Sequence, residues 1–238
     1  MKGLLLSDLA RQSPSTFGII DHFTGLDTTK FSTTISDLGS VAVGDAVGGV
    51  AVITPSDATI ADNDESYLQS KEVFRIASQK PIEFAARVQF TQAATNAANI
   101  LAGLMDAPTA NALQDNGAGP KASFSGAAFY AYDGSTNWNV IYSDGATQTK
   151  AELTASNSLN KQANVAGSAA YQLLEISILP KTSTLCDVVF RINGSTVFKM
   201  LDRTYANATE VAVAFGAKNG TAAQQVLNVD MVSCHQLI

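Results

Sequence analysis

Between Ile82 and Phe90 the chain alternates. Ile82, Phe84, Ala86, Val88 and Phe90 are apolar, and Glu83, Ala85, Arg87 and Gln89 fall between them. A period of two puts every apolar side chain on one face of an extended strand. The pattern returns at Leu174, Ile176 and Ile178 against Glu175 and Ser177, and at Leu227, Val229 and Met231 against Asn228 and Asp230. No helical period of similar strength accompanies it. The expectation is an all-β, two-sheet antiparallel sandwich with Ile82, Phe84, Val88, Phe90, Ile176, Ile178, Val229 and Met231 facing its core.

The turn chemistry agrees. Asp133-Gly134, Asp144-Gly145 and Asn193-Gly194 are hairpin signals between apolar or aromatic runs. They bracket Ala127–Tyr132, Trp138–Tyr142, Thr147–Leu153, Val188–Ile192 and Thr196–Met200. Gly48-Gly49 leads into Val50–Ile53, and Asn219-Gly220 precedes the last strand. Two stretches resist this reading. Thr91–Leu101, rich in Ala and Asn, has no usable period and reads as a loop with room for a short helix. Ala107–Gln114, with Pro108 near its start, reads as a short helix ended by Asp115–Pro120.

Residues 1–16 read as an arm preceding a single sandwich domain over 17–238. Leu4, Leu5, Leu6 and Leu9 are apolar enough to dock on another surface, and Ser13-Pro14-Ser15 separates them from the first strand. The three-residue leucine run falls short of the apolar core of about 7–15 residues in a signal peptide. No stretch approaches the roughly 18 apolar residues of a membrane helix. The expectation is a chain made in a cytoplasm that leaves, if at all, within a particle.

Charge sharpens the picture by exclusion. Only 15% of the 238 residues are charged, and the net charge is −6. A typical share is about 25%. The cationic residues are scattered singly, which disfavours nucleic acid as a partner. A surface this poor in charge suits contacts with partners, because interface cores are depleted in charge. The two cysteines, Cys186 and Cys234, lie in strand-like segments and read as buried free thiols. The sequons at Asn193, Asn207 and Asn219 are common by chance.

Candidate chemistry is sparse. His22 and His235 are the two histidines and give no zinc spacing. Asp62-Asn63-Asp64-Glu65 is the best candidate for calcium, yet it lacks the Gly and distal Glu of an EF-hand loop, so a solvated turn is expected. There is no Gly-x-Ser-x-Gly elbow and no P-loop. Hydrolysis of a glycoside needs two facing carboxylates. On a strand face these take the form Glu-x-Asp-x-x-Glu, and none of the six glutamates has Asp two positions later. No catalytic, metal or cofactor residue is therefore assigned. Tyr130, Tyr132, Trp138 and Tyr142, on adjacent hairpin strands, could stack on sugars, although strand aromatics more often pack.

The stretches Asp21–Phe31, Pro81–Val88 and Leu227–Val232 resemble the opening, middle and closing strands of concanavalin A-like (laminin G/glucanase-type) jelly-roll sandwiches. More narrowly, the phrases Asn63–Leu68, Gly103–Pro108 and Gly117–Ser123 resemble, in that order, recurrent phrases of tailed-phage virion proteins with this fold. The resemblance covers roughly residues 17–236. It implies a structural protein that decorates or cements a phage capsid on the virion surface, without catalysis or cofactor. Its implied partners are the major capsid protein and further copies of itself. The alternative is a lectin-like module that binds glycans.

Overall fold

The structure is a computed structural model. It describes residues 16–237 apart from 77–78, 92–96, 107 and 206–209. Leu4, Leu5, Leu6 and Leu9, assigned to a docking arm, lie outside the described residues.

Among the described residues, fifteen strands run β1 (Thr16–Asp21), β2 (Phe31–Ile35), β3 (Leu38–Gly44), β4 (Val50–Ser56), β5 (Glu65–Arg75), β6 (Ile82–Thr91), β7 (Ala98–Met105), β8 (Ser125–Ala131), β9 (Asn139–Asp144), β10 (Gln148–Glu152), β11 (Ser168–Pro180), β12 (Leu185–Ile192), β13 (Ser195–Thr204), β14 (Glu210–Asn219) and β15 (Val226–Leu237). One sheet has the order β13-β12-β11-β6-β15-β4-β3, with β1 also pairing β15. The other has the order β10-β9-β8-β7-β14-β5-β2. β1 begins at Thr16, one residue inside the expected arm.

The alternating segments line the space between the sheets. Ile82, Phe84, Val88, Phe90, Ile176, Ile178 and Val229 are all buried in one core, where Phe84 meets Phe215 at 6.2 Å between ring centroids. Trp138 is the aromatic hub, set edge-on against Phe90 and Phe129, with its indole N–H donating to Gln172 at 2.8 Å. Burying one such side chain is worth roughly 1.5–3 kcal/mol.

Met231 corrects the expected core. The register of β15 against β6 shifts between Val229 and Met231, so Val229 lies opposite Val88 while Met231 lies opposite Arg87. A bulge of one residue moves every later side chain to the other face. Val232 and Cys234 take over the inner face, and Met231, although buried, is not part of the core.

The expected loop over Thr91–Leu101 is also corrected, for Ala98–Met105 is a strand buried along its whole length. A strand covered on both faces need not alternate. The helix expected over Ala107–Gln114 is absent among the described residues. That segment instead forms a turn at Thr109–Ala112, a bridge between Leu113 and Pro120, and a single 3-10 turn at Asp115–Gly117. The stretch likened to a first strand is mostly the connection between β1 and β2. The three hairpins fall where their turns place them, and both cysteines are buried free thiols.

Candidate functional site

The outer face of the seven-stranded sheet carries the site. Strand register sets two rows of side chains across it. Glu65 on β5 faces Lys218 on β14, which faces Asn99 on β7. One step along, Tyr67, Gly216, Leu101, Tyr130, Asn139 and Glu152 follow one another across β5, β14, β7, β8, β9 and β10.

Much of this face is closed by residues 108–124, which fold back over it. Ala112, Leu113 and Phe124 join Tyr67, Leu101, Met105, Ala128, Tyr130, Ile141 and Ala214 in a second buried apolar cluster. Two glycines make the contact possible. A Cβ on Gly216 would sit 2.4 Å from the Tyr67 ring, and one on Gly119, at φ +77°, would sit 2.9 Å from the Tyr130 ring.

Beneath the loop lies a buried charge network. The Lys218 side chain is 1% exposed. Its Nζ donates to Asn111 Oδ1 at 3.0 Å and Leu113 O at 3.1 Å, and pairs with Glu65 Oε2 at 3.3 Å and Asp115 Oδ1 at 2.5 Å. Glu65 also accepts from the Tyr67 hydroxyl at 2.6 Å and the Asn111 N–H at 2.7 Å. The Tyr67 oxygen accepts from the Leu113 N–H at 3.0 Å. Burial and the adjacent Glu65 charge push the Tyr67 hydroxyl far above its ordinary pKa, so it stays a donor. These bonds explain why the segment is no helix: its backbone groups are satisfied by sheet side chains instead of by one another.

An open pocket of about 470 Å³ remains beside the loop. Gly117 and Ala118 form one wall, Tyr130 and Tyr132 the floor, and Asn139, Lys150 and Glu152 the far side. The two tyrosine rings stack at 6.1 Å and 30°. Glu152 is held by the Asn137 amide at 2.8 Å, and Asn139 donates to Ser135 at 3.2 Å. Burial first, then Tyr132 and Glu152, raises the Tyr130 hydroxyl above its ordinary pKa, which keeps it protonated.

The four aromatics expected to form a platform are thus divided. Tyr130 and Tyr132 reach the pocket, while Trp138 and Tyr142 point into the core. The acidic run at 62–65 is not a solvated turn throughout. Asp64 accepts from the Ser56 hydroxyl and the Ala61 N–H, and Glu65 belongs to the lysine network. Among the described residues no group of three His, Cys, Asp or Glu could hold a metal ion. Sequence reasoning missed Lys218, Asp115 and Glu152. The available signal was Lys218 itself, a lone cation ending the apolar run Val211–Ala217.

No family model matches the chain, and no curated protein matches it. Solved structures do. The metal-free carbohydrate recognition domain of Emp46p is 10% identical, with 92% of this chain and 95% of that one covered at a TM-score of 0.59. Peanut lectin is 11% identical, with 93% and 97% covered at 0.57. An endo-1,3-β-glucanase from Streptomyces sioyaensis is 11% identical, with 94% and 98% covered at 0.58. The chain has the concanavalin A-like fold. At such identity the likeness carries the fold alone, since this sandwich hosts both binding and catalysis.

Proposed function

We propose that this protein is a lectin-like binding module without catalysis, and that it takes a short saccharide in the pocket beside residues 108–124. The pocket carries this reading. An aromatic surface at Tyr132, an amide at Asn139, an ammonium at Lys150 and a pinned carboxylate at Glu152 converge on one concavity. Its volume lies in the range of roughly 300–1,000 Å³ usual for ligand sites. Aromatic faces take the apolar face of a sugar, and polar groups fix its hydroxyls. The loop covers the sheet beyond Tyr130, which favours a chain end over an extended polymer. Glu152 is the one carboxylate among the lining residues, whereas glycoside hydrolysis calls for two. Calorimetric titration with short neutral oligosaccharides tests the reading. Binding without turnover, weakened at least tenfold in Tyr132→Ala, is expected. Absence of binding across a broad glycan panel would overturn it.

A second reading has its own supporting observation. The three phrases that resemble phage virion proteins meet in space on the closed face. Asn63–Leu68 supplies Glu65 and Tyr67, Gly103–Pro108 supplies Met105 and Asp106, and Gly117–Ser123 supplies Gly119, set against the Tyr130 ring, and Lys121, whose Nζ lies 3.5 Å from Asp106 O. Asp106 accepts from the Ser125 N–H at 2.9 Å, which pins the loop's far end. What this chain shares with those proteins is then the closed face itself, and the role that follows is decoration or cementing of a capsid by non-covalent contacts. Mass spectrometry of purified particles tests it. Multiple copies per capsid, lost on deleting residues 1–12, would support it; absence from the particle would remove it.

A further inference from the structure

The lysine network holds more than an ion pair needs. Lys218 Nζ is enclosed, with the Asp115 carboxylate at 2.5 Å on one side and the Glu65 carboxylate at 3.3 Å on another. Glu65 is 4% exposed and Lys218 1%, and both sit beside the apolar cluster of Tyr67, Leu101 and Leu113. We infer that Lys218 and Asp115 are a site of self-catalysed isopeptide formation, with Glu65 as the proton carrier.

The parts are those that amide condensation requires: an amine, a carboxyl in contact with it, and a second acid touching the reacting nitrogen, with the nitrogen and that second acid both enclosed. Groups held in register react as though at about 10⁵–10⁸ M. The Nζ–Cγ bond forms and one Cγ–Oδ bond of Asp115 breaks. Of the three Nζ protons, one stays on the amide nitrogen and two leave with the departing oxygen as water. Glu65 Oε2 carries each proton in turn and ends as it began. No oxidant or further reactant enters.

Two observations select Asp115 over Asn111, whose Oδ1 is 3.0 Å from the same nitrogen. Asp115 is nearer. Condensation with Asn111 would release ammonia and leave two carboxylates, Glu65 and Asp115, without the cation, where condensation with Asp115 leaves one. Condensation with Asp115 removes one cation and one anion together, which ends the desolvation cost of the buried ammonium. Glu65 then keeps its bonds from Tyr67 and the Asn111 N–H. The Asp115 side chain is 54% exposed, so water has a way out. The bond would join the loop to the centre of the sheet.

The intact mass of the folded full-length chain decides the matter. The expected result is a deficit of one water against the sequence mass, with a branched peptide joining the segments around Asp115 and Lys218 after proteolysis. Asp115→Ala removes a half-exposed side chain and keeps the fold, and Glu65→Gln keeps the shape of the proton carrier. Both restore the full mass. A folded wild-type chain at full mass overturns the inference. So does a deficit that persists in Asp115→Ala, or one equal to ammonia.

Discussion

The two faces of the seven-stranded sheet are built on different principles. The inner face is mainly apolar, with Leu68, Ile100, Phe129, Val140, Val213 and Phe215 in the core shared with the other sheet. It is held by dispersion and burial, and no single contact decides it. The outer face mixes tyrosines, glycines and charges, and a folded-back loop completes it. There, one buried cation organises the backbone of Asn111 and Leu113 and the carboxylates of Glu65 and Asp115. An apolar face tolerates exchange of similar volumes. A charge network tolerates little, because removing one member strands the others.

That contrast can be broken at four points. Phe84→Ala, in the space between the sheets, should cost about 3–5 kcal/mol once the cavity is included. Denaturant unfolding should show a lower midpoint with an unchanged slope. A loss below 1 kcal/mol would mean that the inner face is not the main source of stability. In the Asp115→Ala background, where Lys218 keeps its charge, Lys218→Met should cost about 3 kcal/mol by leaving Glu65 buried without its partner. Adding Glu65→Gln should recover much of that loss. If, in that background, the double variant is no better than the single one, the charge is not what holds the outer face. Tyr132→Ala should cost only about 0.5–1.5 kcal/mol, the worth of its stacking on Tyr130. Its large effect should fall on binding.

The smallest effect concerns pH. Burial raises the Glu83 carboxyl above its ordinary pKa, while the Ser177 hydroxyl and the Arg191 charge pull it back. The folded form therefore holds this proton more tightly than the unfolded chain does. Its contribution to stability is full below the unfolded value of about 4.3. That contribution falls as pH rises from there through the folded value. Glu83→Gln should flatten this slope, and equilibrium unfolding across mildly acidic pH would show it. An equally steep profile in the variant would assign the slope to another group.

The inner face was legible because its signal is local. Ile82–Phe90 needs only its own period to declare a strand, and Asn193-Gly194 needs only its own residues to declare a turn. Two failures there have local causes as well. The bulge at Asp230 exchanges Met231 for Val232 without altering the composition of β15. The Ala98–Met105 strand is covered on both faces, so it lacks the alternation that marks its neighbours. The outer face was illegible because its signal is long-range. Lys218 meets Glu65 across 153 residues and Leu113 across 105. No window of sequence shows that Pro108 begins a loop tied to β14. Tyr130 and Tyr132 were singled out with Trp138 and Tyr142, but which of the four face outward depends on register that composition does not reveal.

The proposed saccharide binding without cutting rests on the pocket beside the loop, whose single lining carboxylate is Glu152. The direct measurement follows purified protein with short β-glucan oligosaccharides, recording bound ligand and released products together. Saturable binding that falls at least tenfold in Tyr132→Ala, with no product at any time, is expected. Product formation that is lost in Glu152→Gln would contradict it.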